Sequence, residues 1–208
     1  MLISTFELLV KNILPPPAAP AAAPPAAGVP NGRTVIQGYF LTIANTSDVA
    51  ASFELKFIAQ NPNFVLRPDP DPTSPPTPPI GIGNTRLVAL FDINGKNFPP
   101  LPLPSEISRK TLTFDLTIEP RDTGLFILQP NVTKPSLLSA ADLEIRGYSQ
   151  ISLKSGGASS VNVLLTPEHR GTFLPPPSSD GKDVPPDFDQ LVYSLPTARG
   201  RSLYELTV

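Results

Sequence analysis

Apolar and polar residues alternate without a fault along Ser52-Phe53-Glu54-Leu55-Lys56-Phe57 and along Thr111-Leu112-Thr113-Phe114-Asp115-Leu116-Thr117-Ile118-Glu119. A period of two lines one face with core residues and wets the other, so both runs predict half-buried antiparallel strands. The same alternation runs from Asp142 to Gly147 and resumes at Ile151 and Leu153. After Ser155-Gly156-Gly157-Ala158 it continues through Val161-Asn162-Val163-Leu164-Leu165. The glycines provide the positive φ of a tight turn, and the two runs read as a hairpin. Weaker strand patterns lie at 33–44, 85–93, 123–129, 188–195 and 202–207, and Asn94-Gly95 is a further turn candidate.

Eight or nine strands punctuated by turns predict an all-β domain, a two-sheet antiparallel β-sandwich of immunoglobulin-like topology. Composition refines this reading. Of 29 prolines in 208 residues, 23 fall in five clusters, at 15–30, 68–79, 99–104, 175–177 and 185–186. Proline cannot donate to a strand ladder, so the clusters mark loops or edge covers. The expected organisation is an apolar arm at 1–13, a Pro/Ala-rich linker at 14–30, and a sandwich domain at 31–208 with Pro-rich loops at 68–79, 99–104 and 174–186.

The N-terminal arm carries the most functional information. Read as a strand, Leu2, Ser4, Phe6, Leu8 and Val10 form one mostly apolar face; read as a helix, Leu2, Phe6, Leu9 and Ile13 form a stripe. A polyproline II linker of some 16 residues reaches ~50 Å, more than the diameter of a small domain. The arm must therefore fold back on its own domain, dock on a partner or lie on a lipid surface. Docking in trans is expected to use Leu2, Phe6, Leu8 and Val10 as the assembly face. This layout resembles that of donor-strand assembled surface fibres, a likeness of architecture without a shared motif, and it implies a self-associating homopolymer.

Charge and chemistry narrow the classes further. With 16 basic and 18 acidic residues and no basic cluster, nucleic acid and anionic membrane surfaces are not expected partners. Cysteine is absent, which removes disulfides, thiolate catalysis and thiolate zinc. The first 14 residues place Glu7 and Lys11 within the apolar stretch, unlike a secretory signal, and no window reaches the length of a transmembrane span. Low charge with many Ser and Thr leans weakly towards an extracellular or cell-surface location.

His169 is the single histidine, so two-histidine metal motifs are excluded, and it is expected in a structural or turn role. Asp69 and Asp71 sit in a stiff proline loop without calcium-loop spacing. Glu119, Arg121 and Asp122 read as a charged surface corner, and Gly81-Ile82-Gly83-Asn84 as a loop rather than a nucleotide site. Asn45-Thr46-Ser47 and Asn131-Val132-Thr133 match the N-glycosylation pattern. No catalytic residue, cofactor or metal ligand is expected. The leading expectation is a non-enzymatic structural subunit of a filament, sheath or surface layer. The alternative is a monomeric binding or adhesion module presenting Pro-rich loops to a carbohydrate or protein ligand.

Overall fold

The computed structural model describes residues 1–13, 33–59, 86–93, 101, 110–174 and 190–208. In chain order the elements are β1 (Leu2–Ile13), β2 (Arg33–Asn45), β3 (Ala51–Ile58), β4 (Leu87–Ile93), β5 (Thr111–Ile118), β6 (Thr123–Pro130), α1 (Pro135–Ala140), β7 (Asp142–Leu153), β8 (Ser160–Leu174), β9 (Gln190–Ser194) and β10 (Leu203–Thr207). Every strand pairing among them is antiparallel, and the two layers make a β-sandwich. The strand expectations fall on these elements within a few residues. Four Pro-rich clusters lie outside the described residues, as does most of the fifth, at 99–104, together with the Asn94-Gly95 turn, Asp69, Asp71 and the 81–84 loop.

Two long strands hold the layers together. The ladder runs β10-β8-β2-β1-β7-β3-β5, with β6 joined to β2 and β4, and β9 joined to β8. Along one edge of β2, residues 33–37 pair with β1, and residues 39–44 pair with β6. The sheet forks between them. One layer continues as β1-β7-β3-β5 and the other as β6-β4, and the two branches face each other across the core. Phe57 of β3 stacks on Phe126 of β6 at 5.5 Å, and Phe114 of β5 meets the same ring at 5.0 Å.

The arm is a strand, and it lies in its own domain. β1 pairs with β2 through residues 9–13 and with β7 along most of its length. This corrects the expectation of a tethered arm held away from the core. Ile13 and Arg33 are register partners. Of the residues expected to form an assembly face, Phe6, Leu8 and Val10 are buried in the chain's own core, at 2%, 0% and 0% exposure. Leu2 is not, at 44%. The pairing shifts by one residue between Leu2 and Thr5, so that Ile3 and Ser4 are both buried and Leu2 turns to the outer face. A bulge that inserts one residue reverses the faces beyond it.

Three further differences have local causes. The two runs flanking Gly156 are not a hairpin: β7 pairs with β1 and β3, β8 with β2, β9 and β10, and the turn crosses between layers. Gly156 does take positive φ, at 104°. β8 runs on through Pro167, which sits between the stretches paired to β10 (Ser160–Leu164) and to β9 (Glu168–Thr172). Leu165 N–H and the Pro167 carbonyl both point to that edge, so the missing proline donor falls in the gap and costs no ladder bond. The six-residue helix α1 has no counterpart in the sequence reading; Pro135 starts it, and Ala141 ends it in the left-handed region.

Fully burying Ile3, Phe6, Leu8 and Val10 contributes about 1.5–3 kcal/mol each, a sum comparable with the ~5–15 kcal/mol net stability of a whole domain. Phe6→Ala is therefore expected to cost about 3–5 kcal/mol in chemical denaturation. Deleting residues 1–13 should abolish the cooperative transition altogether. A truncated chain that still unfolds cooperatively would contradict the placement of β1 inside the sheet.

Candidate functional site

Where β1 leaves β2, backbone groups on its inner edge lose their ladder partners. Leu9 is the last β1 residue paired with β2, and β6 takes over the β2 edge from Tyr39. Side chains replace the ladder. The Glu7 N–H donates to Nε2 of His169 at 2.9 Å, and Gln37 Nε2 donates to the Glu7 carbonyl at 3.4 Å. An unsatisfied buried amide would cost about 1–3 kcal/mol, which explains a histidine at this point.

The hydrogen bonds close into a ring. Because Nε2 accepts, neutral His169 carries its proton on Nδ1 and donates it to the Tyr193 hydroxyl at 2.8 Å. Tyr193 donates to Gln37 Oε1 at 3.3 Å, and Gln37 Nε2 donates to Glu7 Oε2 at 3.2 Å. Four strands, β1, β2, β8 and β9, are tied by four side chains. Burial holds the His169 imidazole below its ordinary value of 6.5, with the Glu7 charge pulling the other way. Both ring nitrogens are engaged, and the imidazole ties β8 to β1 and β9.

A second polar cluster sits deeper at the same fork. The Tyr39 hydroxyl lies 3.0 Å from Ser4 Oγ and 3.0 Å from Ser149 Oγ. Burial pushes the Tyr39 phenol up to about 12. It remains a neutral hydrogen-bonding group at any ordinary pH.

The fork opens onto one continuous outer face. Register partners share a face in antiparallel pairing. Tyr193 of β9 thus stands beside His169, Leu9 beside Gln37 and Glu144, Glu7 beside Arg146, and Thr5 beside Tyr148. Tyr148 is followed by Ile58 of β3 and Thr111 of β5, and Gln150 by Lys56 and Thr113. Tyr193 and Tyr148 are 40% and 38% exposed, with the ion-paired Glu7 and Arg146 between them. Arg146 also holds Glu144 at 2.7 Å, and Glu144 is paired with Lys11. The result is a strip of planar charged groups with a tyrosine at either end.

Sequence reasoning singled out His169 but not Glu7, Gln37, Arg146, Tyr148 or Tyr193. They are brought together by strand register alone, and no spacing along the chain announces them. At the charged corner Arg121, with φ of 56°, donates to Asp48 at 2.6 Å, and Asp122 accepts the Thr123 N–H. Asn45 is 1% exposed, and its amide donates to the carbonyls of Val49, Ile118 and Glu119. It anchors the corner from within. Among the described residues no group of three or more His, Cys, Asp or Glu side chains could hold a metal, and no helix is long and apolar enough to cross a membrane.

No protein-family model matches the chain, and neither does any curated protein. A solved structure of a family 35 carbohydrate binding module from an environmental isolate aligns over 74% of this chain and 96% of that one, at 9% identity and a TM-score of 0.25. A superposition that loose relates the two chains by neither family nor function.

The ring has a pH signature. The unfolded histidine titrates near 6.5 and the folded one lower, so between those values the unfolded chain binds more protons and stability rises with pH. His169 is expected to contribute fully above about pH 6.5 and to lose its contribution progressively as pH falls below that value. Urea unfolding from pH 7.5 to 4.5 should show a steeper decline for the parent than for His169→Gln. Parallel profiles would refute the assignment.

Proposed function

We propose that the protein is a non-enzymatic binding module that takes a hydroxyl-rich, carbohydrate-type ligand on the outer face spanning β9, β8, β2, β1 and β7. The observation that carries this reading is the pair of exposed tyrosines, Tyr148 and Tyr193, flanking the Glu7–Arg146 ion pair on one face. A sugar ring has an apolar C–H face that packs on an aromatic ring, and vicinal hydroxyls that accept from and donate to planar groups such as guanidinium and carboxylate. Four strand spacings separate the columns of Tyr193 and Tyr148, ~19 Å along a flat sheet, which suits an extended oligosaccharide rather than a single sugar.

Polymerisation by arm exchange has less support. β1 makes both of its strand pairings within its own chain, so a neighbour's arm would have to displace it first.

Titration calorimetry with soluble polysaccharides and their oligosaccharides tests the binding reading. Tyr148→Ala and Arg146→Ala are each expected to weaken binding about tenfold or more, or ~1.4 kcal/mol, without lowering thermal stability appreciably. Val49→Ala, on an exposed corner away from the face, should leave affinity unchanged. Equal affinity across all three variants, or no binding to any glycan offered, would reject the reading.

A further inference from the structure

Two segments of the chain carry the Asn-Xaa-Ser/Thr pattern, and the fold treats them in opposite ways. An N-linked glycan replaces one hydrogen of the asparagine amide with a bulky, hydrophilic sugar. The pattern therefore marks an acceptor only where the side chain can reach solvent and the hydroxyl two residues on lies beside it.

Asn45 fails both conditions. It ends β2 and is 1% exposed. The two hydrogens of its Nδ2 serve three carbonyls, those of Val49 at 2.8 Å, Glu119 at 3.1 Å and Ile118 at 3.3 Å. A sugar on this nitrogen would take one hydrogen away, strand at least one carbonyl, and have to enter a corner that the chain has closed. The Ser47 hydroxyl turns the other way and accepts the Asn162 N–H at 2.7 Å.

Asn131 meets them. It opens the loop between the end of β6 at Pro130 and the start of α1 at Pro135. Its backbone is fixed at both ends: the N–H donates to the Arg86 carbonyl at 2.8 Å, and the carbonyl accepts the Lys134 N–H at 3.1 Å. Its side chain is half-buried, and Val132 and Thr133 are exposed. Asn131 Oδ1 accepts the Thr133 hydroxyl at 2.7 Å and the Thr133 N–H at 3.3 Å. The turn is thus built on the amide oxygen, and it holds the two residues of the pattern side by side at the surface.

We propose that Asn131 is the position at which this chain accepts an N-linked glycan, and that Asn45 is a structural asparagine in the same sequence pattern. In the transfer, Nδ2 attacks the anomeric carbon of a sugar carried on a polyprenyl pyrophosphate. The N–C1 bond forms and the C1–O bond breaks. The amide proton passes to a base of the transferase, and the polyprenyl pyrophosphate leaves with the C–O electron pair. Asn131 follows β6, a strand outside the proposed ligand face, so this site stands or falls independently of that reading.

Incubating the purified, folded full chain with an oligosaccharyltransferase and its lipid-linked sugar donor tests this, with occupancy read by glycopeptide mass spectrometry. Synthetic peptides covering residues 40–50 and 126–136 serve as unfolded controls. Asn131 is expected to be modified in the native chain, and Asn131→Gln and Thr133→Ala should each abolish that modification while the far-ultraviolet circular dichroism stays that of the parent. Because Asn45 is reached only by opening the fold, its modification in the native chain should be at least about a hundredfold slower than in the peptide. A native chain left unmodified at Asn131, or one modified at Asn45 as readily as the peptide, would overturn the assignment.

Discussion

The structure depends on the insertion of β1 between β2 and β7. Without it the β7-β3-β5 strands have no strand pairing that leads to β2, and the layer would be attached only through the core and side-chain hydrogen bonds such as those of Tyr39 with Ser149 and of Asn45 with the Ile118 carbonyl. Its buried residues, Ile3, Phe6, Leu8 and Val10, supply apolar area that no later segment replaces. An N-terminal strand placed at the centre of a sheet also makes the fold non-local, since its β7 partners lie some 140 residues away. Such pairings are slow to form, because loop closure comes before the contacts that reward it.

A sheet that forks leaves backbone donors and acceptors without strand partners at the branch point. Here His169, Gln37, Ser4, Tyr39 and Ser149 gather there, and each is bonded to groups of the diverging strand or to one another. Four of the buried polar residues, Ser4, Gln37, Ser149 and His169, are thereby explained by topology. Gly147 serves the same junction by absence: a Cβ there would come within 2.0 Å of the Ile58 carbonyl oxygen. These are requirements of the architecture before they are features of any site.

The fork also creates the face proposed above to bind a ligand. When β1 and β7 rise into the upper layer, their outward side chains remain continuous with the outward side chains of β2, β8 and β9, and charged groups from one layer meet tyrosines from both. The opposite layer has no such junction on its outside. It carries rows of Leu, Ile and Phe instead, which gives the sandwich one wet face and one dry one.

Much of the fold was legible in residue order. The alternation at 52–57 and 111–119 placed β3 and β5, and weaker patterns placed β2, β4, β6, β9 and β10, because burial on one face of a strand imposes a period of two wherever that strand lies. The arm's apolar residues were legible too, although its bulge was not, since one inserted residue leaves no compositional trace. Pairing was a different matter. Adjacent runs around Gly156 looked like a hairpin and lie in separate layers, and an arm that looked tethered is a central strand. Periodicity reports whether a segment has a buried face and is silent on which partner covers it. Only the tertiary structure decided that β1 returns to β2, that His169 meets Glu7, and that two tyrosines far apart in sequence share a surface, because register between distant strands is set by the packing of the whole core.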